Sequence, residues 1–293
     1  MTAAGTTKAN SSFGRVSGYL FLAPYLLLFT TFLLLPLFYG LGLSFTKYEM
    51  ATVAPPKFIG LANYREAFDD PMFRNALGVT VKFVALCVPV TIGVALLLAL
   101  GLEQLSERWQ RYVRLGLFVP TMITISVAGI LWRWFYDGEF GIFNAYLGMK
   151  IPWLTDNPMA LISIVIMTVW WTVGAPMVIL QAGLKQIPQA YYEAAAIDGA
   201  VGWRRFAFIT LPLLRPVLLF VIVINVIGAF QIFGQPFIMT KGGPEQSTRV
   251  MVMYIYETAF NFYRMGYGSA MSWLLFLIIV AFSLIQFRVL RER

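Results

Sequence analysis

FVALCVPVTIGVALLLALGL, residues 83–102, contains no Asp, Glu, Lys or Arg. An α-helix rises about 1.5 Å per residue, so about 20 apolar residues cross the hydrocarbon core of a bilayer. In lipid an unpaired backbone polar group costs several kcal/mol, which leaves the helix as the structure for a single spanning segment. This stretch therefore predicts a transmembrane helix.

Five further windows of the chain share this absence of charge. Together the six windows hold 18 to 31 residues each: 16–46, 83–102, 115–132, 157–184, 216–240 and 265–287. Each is long enough to cross the hydrocarbon core, the 18-residue window only just. A buried helix of a soluble protein explains one such window but not six, and the alternation typical of a membrane barrel is absent from the sequence. The sequence predicts an all-α, polytopic membrane protein with six transmembrane helices.

The overall composition excludes several classes of protein. Of the 293 residues, 59% are hydrophobic and 12% are charged, whereas about 25% of the residues of a soluble protein are charged. The sequence has no histidine, which is the commonest metal ligand and the usual proton carrier near neutral pH. The net charge of +8 comes without a basic-aromatic motif, so the expected partner is membrane lipid and not nucleic acid.

The positive charges of the loops predict the orientation in the membrane. With the N-terminus inside, twelve Lys and Arg residues fall on the cytoplasmic side and nine on the outer side. Such residues favour the cytoplasmic side, chiefly in short loops. Because the number of spans is even, both the N-terminus and the C-terminus are expected in the cytoplasm.

The sequence carries no motif for catalysis or for nucleotide binding. It lacks a loop of the GxxxxGKS/T type, whose backbone would hold the phosphates of ATP. It also lacks metal-ligand spacing and a Ser/His/Asp set, and the six windows contain no acidic residue that would carry protons across the membrane. We therefore expect no enzyme activity, no metal and no cofactor on this chain, and transport powered from elsewhere.

The loop between the fourth and fifth windows is the most informative segment. From Lys185 to Pro216 it reads KQIPQAYYEAAAIDGAVGWRRFAFITLPLLRP. Good helix formers follow Pro188, and Asp198 with Gly199 provides a stop and a turn. A second short helix is expected over residues 200–210, before Pro212 opens the fifth span. The alternative is an amphipathic helix that only anchors the loop to the membrane surface.

Part of this loop, EAAAIDGAVGWRRFAFITLP, resembles the EAA motif of importer-type ABC permeases. The motif positions kept are Glu193, Ala194, Ala195, Asp198, Gly199, Ala200 and Pro212. Flanking matches resemble the carbohydrate branch, which includes maltose and glycerol-phosphate permeases: Gly60-Leu61, Asn63-Tyr64, Gly141, Asn144, 240–244 and 266–270. The resemblance covers nearly the whole chain from about Tyr19 and implies a type I ABC importer permease fold.

The same resemblance implies a division of the chain into four parts. A cytoplasmic N-terminal tail (1–18) precedes the first transmembrane helix and an outer loop (19–74). The core type-1 permease domain (75–287) has five helices and contains the coupling loop (185–212). A cytoplasmic C-terminal tail (288–293) follows.

The resemblance also implies a function and a set of partners. The chain would be a permease subunit of an ATP-binding-cassette importer in a bacterial or archaeal plasma (inner) membrane, and it would pass an oligosaccharide or glycoside by alternating access. Two cytosolic ATPase subunits would bind the ATP and Mg, beside a second homologous permease and an extracytoplasmic sugar-binding protein. The expected ATPase-coupling residues are Glu193, Ala194, Ala195, Asp198 and Gly199. Short side chains allow close docking, and Glu193 can pair with a partner cation.

Hydrogen-bonding side chains inside the spans are few: Thr168, Thr172 and Gln181 in the fourth window, and Asn225, Gln231 and Gln235 in the fifth. The candidates for a substrate pathway are Thr168, Trp171, Thr172, Asn225, Gln231 and Gln235. Two threonine hydroxyls one helical turn apart, beside an indole face, suit a sugar. The alternative role is hydrogen bonding between helices, in which case the partner permease would hold the substrate site.

Other transport functions and one function outside transport stay open at this point. A glycerol 3-phosphate or polyol permease of the same family is the nearest alternative. A single-chain facilitative or ion-coupled carrier would work without an ATPase, and a membrane scaffold or receptor would use the loop only as a docking surface.

Overall fold

The computed structural model describes residues 21–52 and 54–291. Their helices are α1 (Phe21–Ser44), α2 (Ala62–Asp69), α3 (Pro71–Leu102), α4 (Glu107–Met122), α5 (Ile125–Phe135), α6 (Ile142–Leu147), α7 (Met159–Thr172), α8 (Gly174–Lys185), α9 (Gln189–Ile197), α10 (Trp203–Arg205), α11 (Leu211–Phe230), α12 (Gly234–Met239), α13 (Met251–Tyr256) and α14 (Met265–Arg291). Two short strands, β1 (Thr46–Lys47) and β2 (Lys57–Phe58), pair antiparallel. The N-terminal tail 1–18 lies outside the described residues. The all-α prediction is confirmed.

The six charge-free windows correspond to four long helices and two bent pairs. The long helices are α1, α3, the segment Trp203–Met239 and α14. The third window falls on α4 and α5, which meet at 99°, and the fourth on α7 and α8, which meet at 52°. Each pair is long and apolar enough to cross a membrane once, so the described residues provide four candidate spans, or six if each bent pair crosses once. The number six therefore stays a prediction, and the windows contained no sign of the bends.

The bend between α7 and α8 has a local cause. Pro176 has no N–H, so the carbonyl of Thr172 loses its intrahelical donor, and the helix breaks at Val173 between them. Directly after the break, Gly174 lies so close to α4 that a Cβ atom there would be 2.5 Å from the carbonyl oxygen of Leu117. Only glycine permits this approach.

The sequence predicted a separate helix over residues 200–210. This prediction is wrong in two respects, because the helix begins later and is not separated from the fifth span. Helix α10 begins at Trp203, after Gly202 with φ +56°, and continues through a π-helical turn, Phe206–Thr210, into α11. Pro212 cannot donate to the carbonyl of Phe208, and the wider π turn accommodates that missing bond. The loop is therefore mechanically continuous with the fifth span.

Helix α3 lies at the centre of the bundle. It packs against α7, α8, α11 and α13. Two buried apolar clusters surround it, one around Phe83, Met167 and Phe230 and the other around Ala99 and Leu180. Helix α1 packs chiefly against α14, and its other side chains are exposed, with Phe21 at 84% and Phe32 at 75%.

Candidate substrate cavity and coupling loop

A cavity of about 460 Å³ opens between α3, the bend of α7 and α8, and the end of α11. All six predicted pathway residues line it: Thr168, Trp171, Thr172, Asn225, Gln231 and Gln235. None of the residues that line it is charged. The structure therefore brings the predicted set together at one place, in a volume within the range of about 300–1,000 Å³ typical of small-molecule sites.

The two threonines present oxygen atoms to this cavity. The Thr168 hydroxyl donates to the carbonyl of Ile164 at 2.7 Å, and the Thr172 hydroxyl donates to the carbonyl of Thr168 at 2.8 Å. Each hydroxyl hydrogen is thus used inside helix α7. The lone pairs of the two oxygens are left to accept hydrogen bonds.

Trp171 has a structural contact as well as a cavity face. Its indole Nε1–H donates to the carbonyl of Ile123 at 3.0 Å. Ile123 lies in the two-residue break between α4 and α5, so this bond satisfies a carbonyl that the bend removes from a helix ladder. The indole N–H is consequently engaged, and the ring face is what the side chain offers to a ligand.

The three amides differ in how free they are. Asn225 donates from Nδ2 to the carbonyl of Val221 at 2.8 Å, which leaves its Oδ1 as an acceptor. In the described part of the chain, the side chains of Gln231 and Gln235 form no hydrogen bond, although Gln235 is 93% buried by area. These two glutamines are therefore the side chains with both donor and acceptor free for a ligand.

The sequence analysis missed the α3 wall of the cavity, which is formed by Phe83, Cys87, Val88 and Thr91. Cys87 and Thr91 face each other one turn apart, with Sγ and Oγ1 at 3.7 Å. They are the two side chains with polar atoms in residues 83–102. Their spacing of four residues was the available signal.

The loop helix α9 ends in a Schellman motif. The amide of Gly199 donates to the carbonyl of Ala196 at 3.1 Å, and that of Ala200 donates to the carbonyl of Ala195 at 2.8 Å. Gly199 has φ +73°, the left-handed conformation that this motif requires and that glycine adopts freely. The predicted stop and turn at Asp198 and Gly199 is confirmed.

The predicted coupling residues do not all lie on the same face of the loop. Glu193, Ala194, Asp198 and Gly199 are exposed, whereas Ala195 is 3% exposed and lies against the chain itself. Ile197 and Trp203, at 87% and 75% exposure, add apolar area to the free face. Ala195 therefore packs α9 against the rest of the chain, and the other four residues are exposed.

The fold and the cavity agree with the comparisons to known proteins. The model of the family "Binding-protein-dependent transport system inner membrane component" matches residues 91–292. The chain belongs to this family. It is therefore a multi-pass membrane transport subunit, and the resemblance read from the EAA motif is confirmed.

Curated relatives match along nearly their whole length. "Probable ABC transporter permease protein YesP" of Bacillus subtilis is 38% identical, over 94% of this chain and 90% of the relative. "Sulfoquinovosyl glycerol transport system permease protein SmoG" of Agrobacterium fabrum is 34% identical, over 95% and 92%. "Lactose transport system permease protein LacF" of Rhizobium radiobacter is 35% identical, over 98% and 99%.

A solved structure shows the same fold. A chain from a bacterial ABC transporter involved in the import of the acidic polysaccharide alginate superposes with a TM-score of 0.82, over 96% of both chains, at 22% identity. The type I importer permease fold expected from the resemblance is confirmed by this match.

Proposed function

We propose that this chain is a permease subunit that conducts an uncharged sugar, an oligosaccharide or a glycoside, inward by alternating access. The observation that carries the proposal is the gathering of two threonines, one tryptophan and three amides around a single uncharged cavity. Sugar hydroxyls both donate and accept hydrogen bonds, and the apolar face of a sugar ring stacks on an indole. The relative named for lactose supports a neutral glycoside as substrate.

The absence of charged side chains from the cavity wall favours a neutral sugar over glycerol 3-phosphate as the substrate. A phosphate group is recognised by Arg or Lys in charge-assisted hydrogen bonds. The residues that line the cavity supply neither. An uncharged substrate, which needs only hydroxyl and amide partners, fits this wall better.

The energy is supplied by partner subunits. The sequence has no phosphate-binding loop of its own, and the exposed face of α9 offers a rigid helix end for docking. Glu193, Ala194, Asp198 and Gly199 would contact a cytosolic ATPase that binds ATP and Mg, with two copies in the complex, while Ala195 holds α9 in place. A second homologous permease and an extracytoplasmic sugar-binding protein complete the proposed importer.

The arrangement in the membrane follows from the same assignment. We place both termini in the cytoplasm of a bacterial or archaeal cell, and the core permease domain at residues 75–287. The coupling loop 185–212 then lies on the cytoplasmic side, where the ATPase is.

Cys87 provides a direct test, because it is the single cysteine of the chain and lines the cavity. The purified complex in liposomes is treated with a small thiosulfonate, with and without an excess of neutral glycosides or glycerol 3-phosphate. We expect a neutral glycoside to slow modification of Cys87 and glycerol 3-phosphate not to do so. The Cys87→Ser variant controls for labelling elsewhere. Protection by glycerol 3-phosphate alone would overturn the substrate class, and purification without a stoichiometric ATPase would overturn the importer.

A further inference from the structure

A cluster of four polar side chains, two of them buried, lies at the coupling-loop end of α8 and does not line the cavity. It consists of Glu103, Gln110, Gln181 and Lys185, which we call the amide clamp. The Gln181 side chain donates to Glu103 Oε1 at 3.0 Å and to Gln110 Oε1 at 3.1 Å, so both N–H groups of its amide are used. Lys185 donates to the same Gln110 oxygen at 3.1 Å. The clamp joins the end of α3, the first turn of α4 and the last turn of α8.

The clamp is a stiff connection and not a surface ion pair. Gln181 and Gln110 are 2% and 5% exposed, whereas the charged side chains of Glu103 and Lys185 lie at the rim, 4.0 Å apart and 32% and 46% exposed. A buried amide that gives up a partner leaves a polar group unsatisfied, so the four side chains hold one geometry. Gln110 is itself fixed, because its Nε2 donates to the carbonyl of Leu105 at 2.9 Å.

The amide clamp lies directly beside the start of the coupling loop. Gln181 and Lys185 are four residues apart, which places them on one face of α8. Lys185 is the last residue of α8, and α9 starts four residues later at Gln189. Only three residues separate the two helices, so a displacement of α9 acts on the end of α8 through a short connection.

Two of the three helices joined by the clamp, α3 and α8, also line the substrate cavity. Helix α8 contributes Ala175, Pro176 and Ile179 to the wall, and α3 contributes Cys87 and Thr91. A movement of α8 that carried α3 with it would change both walls together. The clamp adds a polar connection to the α4 end of the apolar packing between α3 and α8, which includes Ala99 and Leu180.

We infer that Gln181 is a positioning residue that transmits movement of the coupling loop to the cavity. This inference rests on the proposed function, since it gives the loop a partner that moves it. The clamp makes α8 and the α3–α4 turn one body, so that closure of the ATPase subunits alters the cavity. The central group is an uncharged amide, which holds the connection without burying a charge.

The test is Gln181→Leu in the complete reconstituted complex, with uptake and ATP hydrolysis measured together. Leu keeps the approximate volume and removes both hydrogen bonds. We expect basal ATP hydrolysis to persist, while substrate moved per ATP falls by roughly 5- to 150-fold, the range of a coupling free energy between two sites. Gln104→Leu, at an exposed position of the α3–α4 turn and outside the coupling loop, is the matched control and should leave the ratio unchanged.

A second position keeps the inference testable if the Gln181→Leu protein does not fold. Glu103→Gln keeps a side-chain oxygen that can accept from Gln181 and should retain the ratio, whereas Glu103→Leu removes that oxygen and should lower the ratio. Because Glu103 is 32% exposed, neither change buries a new polar group. A wild-type ratio in Gln181→Leu or in Glu103→Leu would overturn the inference. A wild-type complex without any transport-linked ATP hydrolysis would instead overturn the proposed function.

Discussion

The two cavity threonines each combine a hydrogen bond within α7 with an oxygen that can accept a further hydrogen bond. In Thr168 and Thr172 the hydrogen is donated within α7, so the rotamer is fixed before a substrate arrives. The remaining lone pairs of each threonine oxygen can accept a hydrogen bond, and the hydroxyl groups of a sugar can donate it. Trp171 follows the same pattern, since its N–H holds the bend at Ile123 and its ring lines the cavity.

The double variant Thr168→Val with Thr172→Val tests these acceptors. Val keeps the shape and removes both oxygens, and a hydrogen bond contributes about 0.5–1.5 kcal/mol, so uptake at subsaturating loaded binding protein should fall roughly tenfold. Thr121→Val is the control, because the Thr121 hydroxyl also donates within its own helix, to Phe118 at 2.7 Å, but does not line the cavity. Equal uptake in all three proteins would assign the cavity threonines to packing.

Removing the single negative charge of Glu193 tests whether the exposed face of α9 docks onto the ATPase. It is exposed and has no partner among the described residues, so a cation of the ATPase can pair with it. Glu193→Gln should reduce stimulated ATP hydrolysis severalfold at low salt and less at high salt, because salt screens exposed charges. Glu107→Gln, an exposed acid at the start of α4, should have no such effect. A salt-independent loss would contradict pairing.

At the scale of an element, α9 depends on the way it ends. A non-glycine residue in the left-handed conformation of Gly199 costs about 1–2 kcal/mol, and Asn tolerates it better. A Cβ at Gly199 would meet nothing within 4 Å, so strain and not a clash is the expected effect. Gly199→Val should insert and assemble yet lose stimulated ATP hydrolysis, whereas Gly199→Asn should retain most of it.

The control for this variant is Gly148→Val, which strains a glycine of similar φ, +64°, at the end of α6 and away from the loop. If Gly148→Val and Gly199→Val lost the same activity, general destabilisation would be the cause. Gly199→Val with full stimulated hydrolysis would make the loop an anchor.

The start of α3 is held by a carboxylate with two tyrosines. Asp70 caps the helix by accepting from the amide of Met72 at 2.8 Å, and it accepts from the hydroxyls of Tyr254 and Tyr267. Burial on its own raises the pKa of Asp70, but these hydrogen bonds outweigh it and hold the pKa below 3.8. A depressed pKa in the folded state means that the carboxylate stabilises the fold above about pH 4 and stops doing so as the pH falls through the lowered value.

Asp70→Ala and Asp70→Asn separate the cap from the tyrosine contacts. Asn caps a helix about as well as Asp, whereas Ala costs about 0.5–2 kcal/mol. Thermal unfolding in detergent at pH 7 should therefore rank wild type above Asp70→Asn, and Asp70→Asn above Asp70→Ala. At a pH below the lowered pKa, the difference between wild type and Asp70→Asn should shrink. An unchanged difference at both pH values would show that the carboxylate charge has no role.

The sequence predicted the elements that are formed by local interactions. It did not predict those that depend on contacts between residues far apart in the sequence. Residues 83–102 predict α3 by composition alone, and the turn at Gly199 follows from local backbone preference. The bend at Val173 depends partly on the approach of Gly174 to Leu117, 57 positions apart in sequence. The contact between Gln181 and Glu103 joins residues 78 apart, and no pattern within one segment indicates it.

At the scale of the whole molecule, the exposed surface of α1 fits a chain that works in an assembly. Its sequence is apolar, yet none of its most hydrophobic 18-residue stretch is buried within the chain. Lipid or a partner subunit must therefore cover it. No residue of α1 lines the cavity, which is formed by residues between α3 and α12.

The orientation of this assembly is tested by two reporters. One is fused after Arg293 and one is inserted between Pro55 and Pro56, which are exposed and lie outside the helices and strands. Each bent pair counts as one span, so six spans place the C-terminus on the side of the N-terminus and the Pro55–Pro56 site on the other side. The excess of Lys and Arg then assigns the termini to the cytoplasm.

A fluorescent protein after Arg293 should fluoresce, and a phosphatase at Pro55 should be active outside the cytoplasmic membrane. A phosphatase at Gln104, in the turn between α3 and α4, is the matched control and should be inactive. If the Pro55 and Arg293 reporters reported the same side, one bent pair would be re-entrant, and the loop with its clamp would lie away from the ATPase.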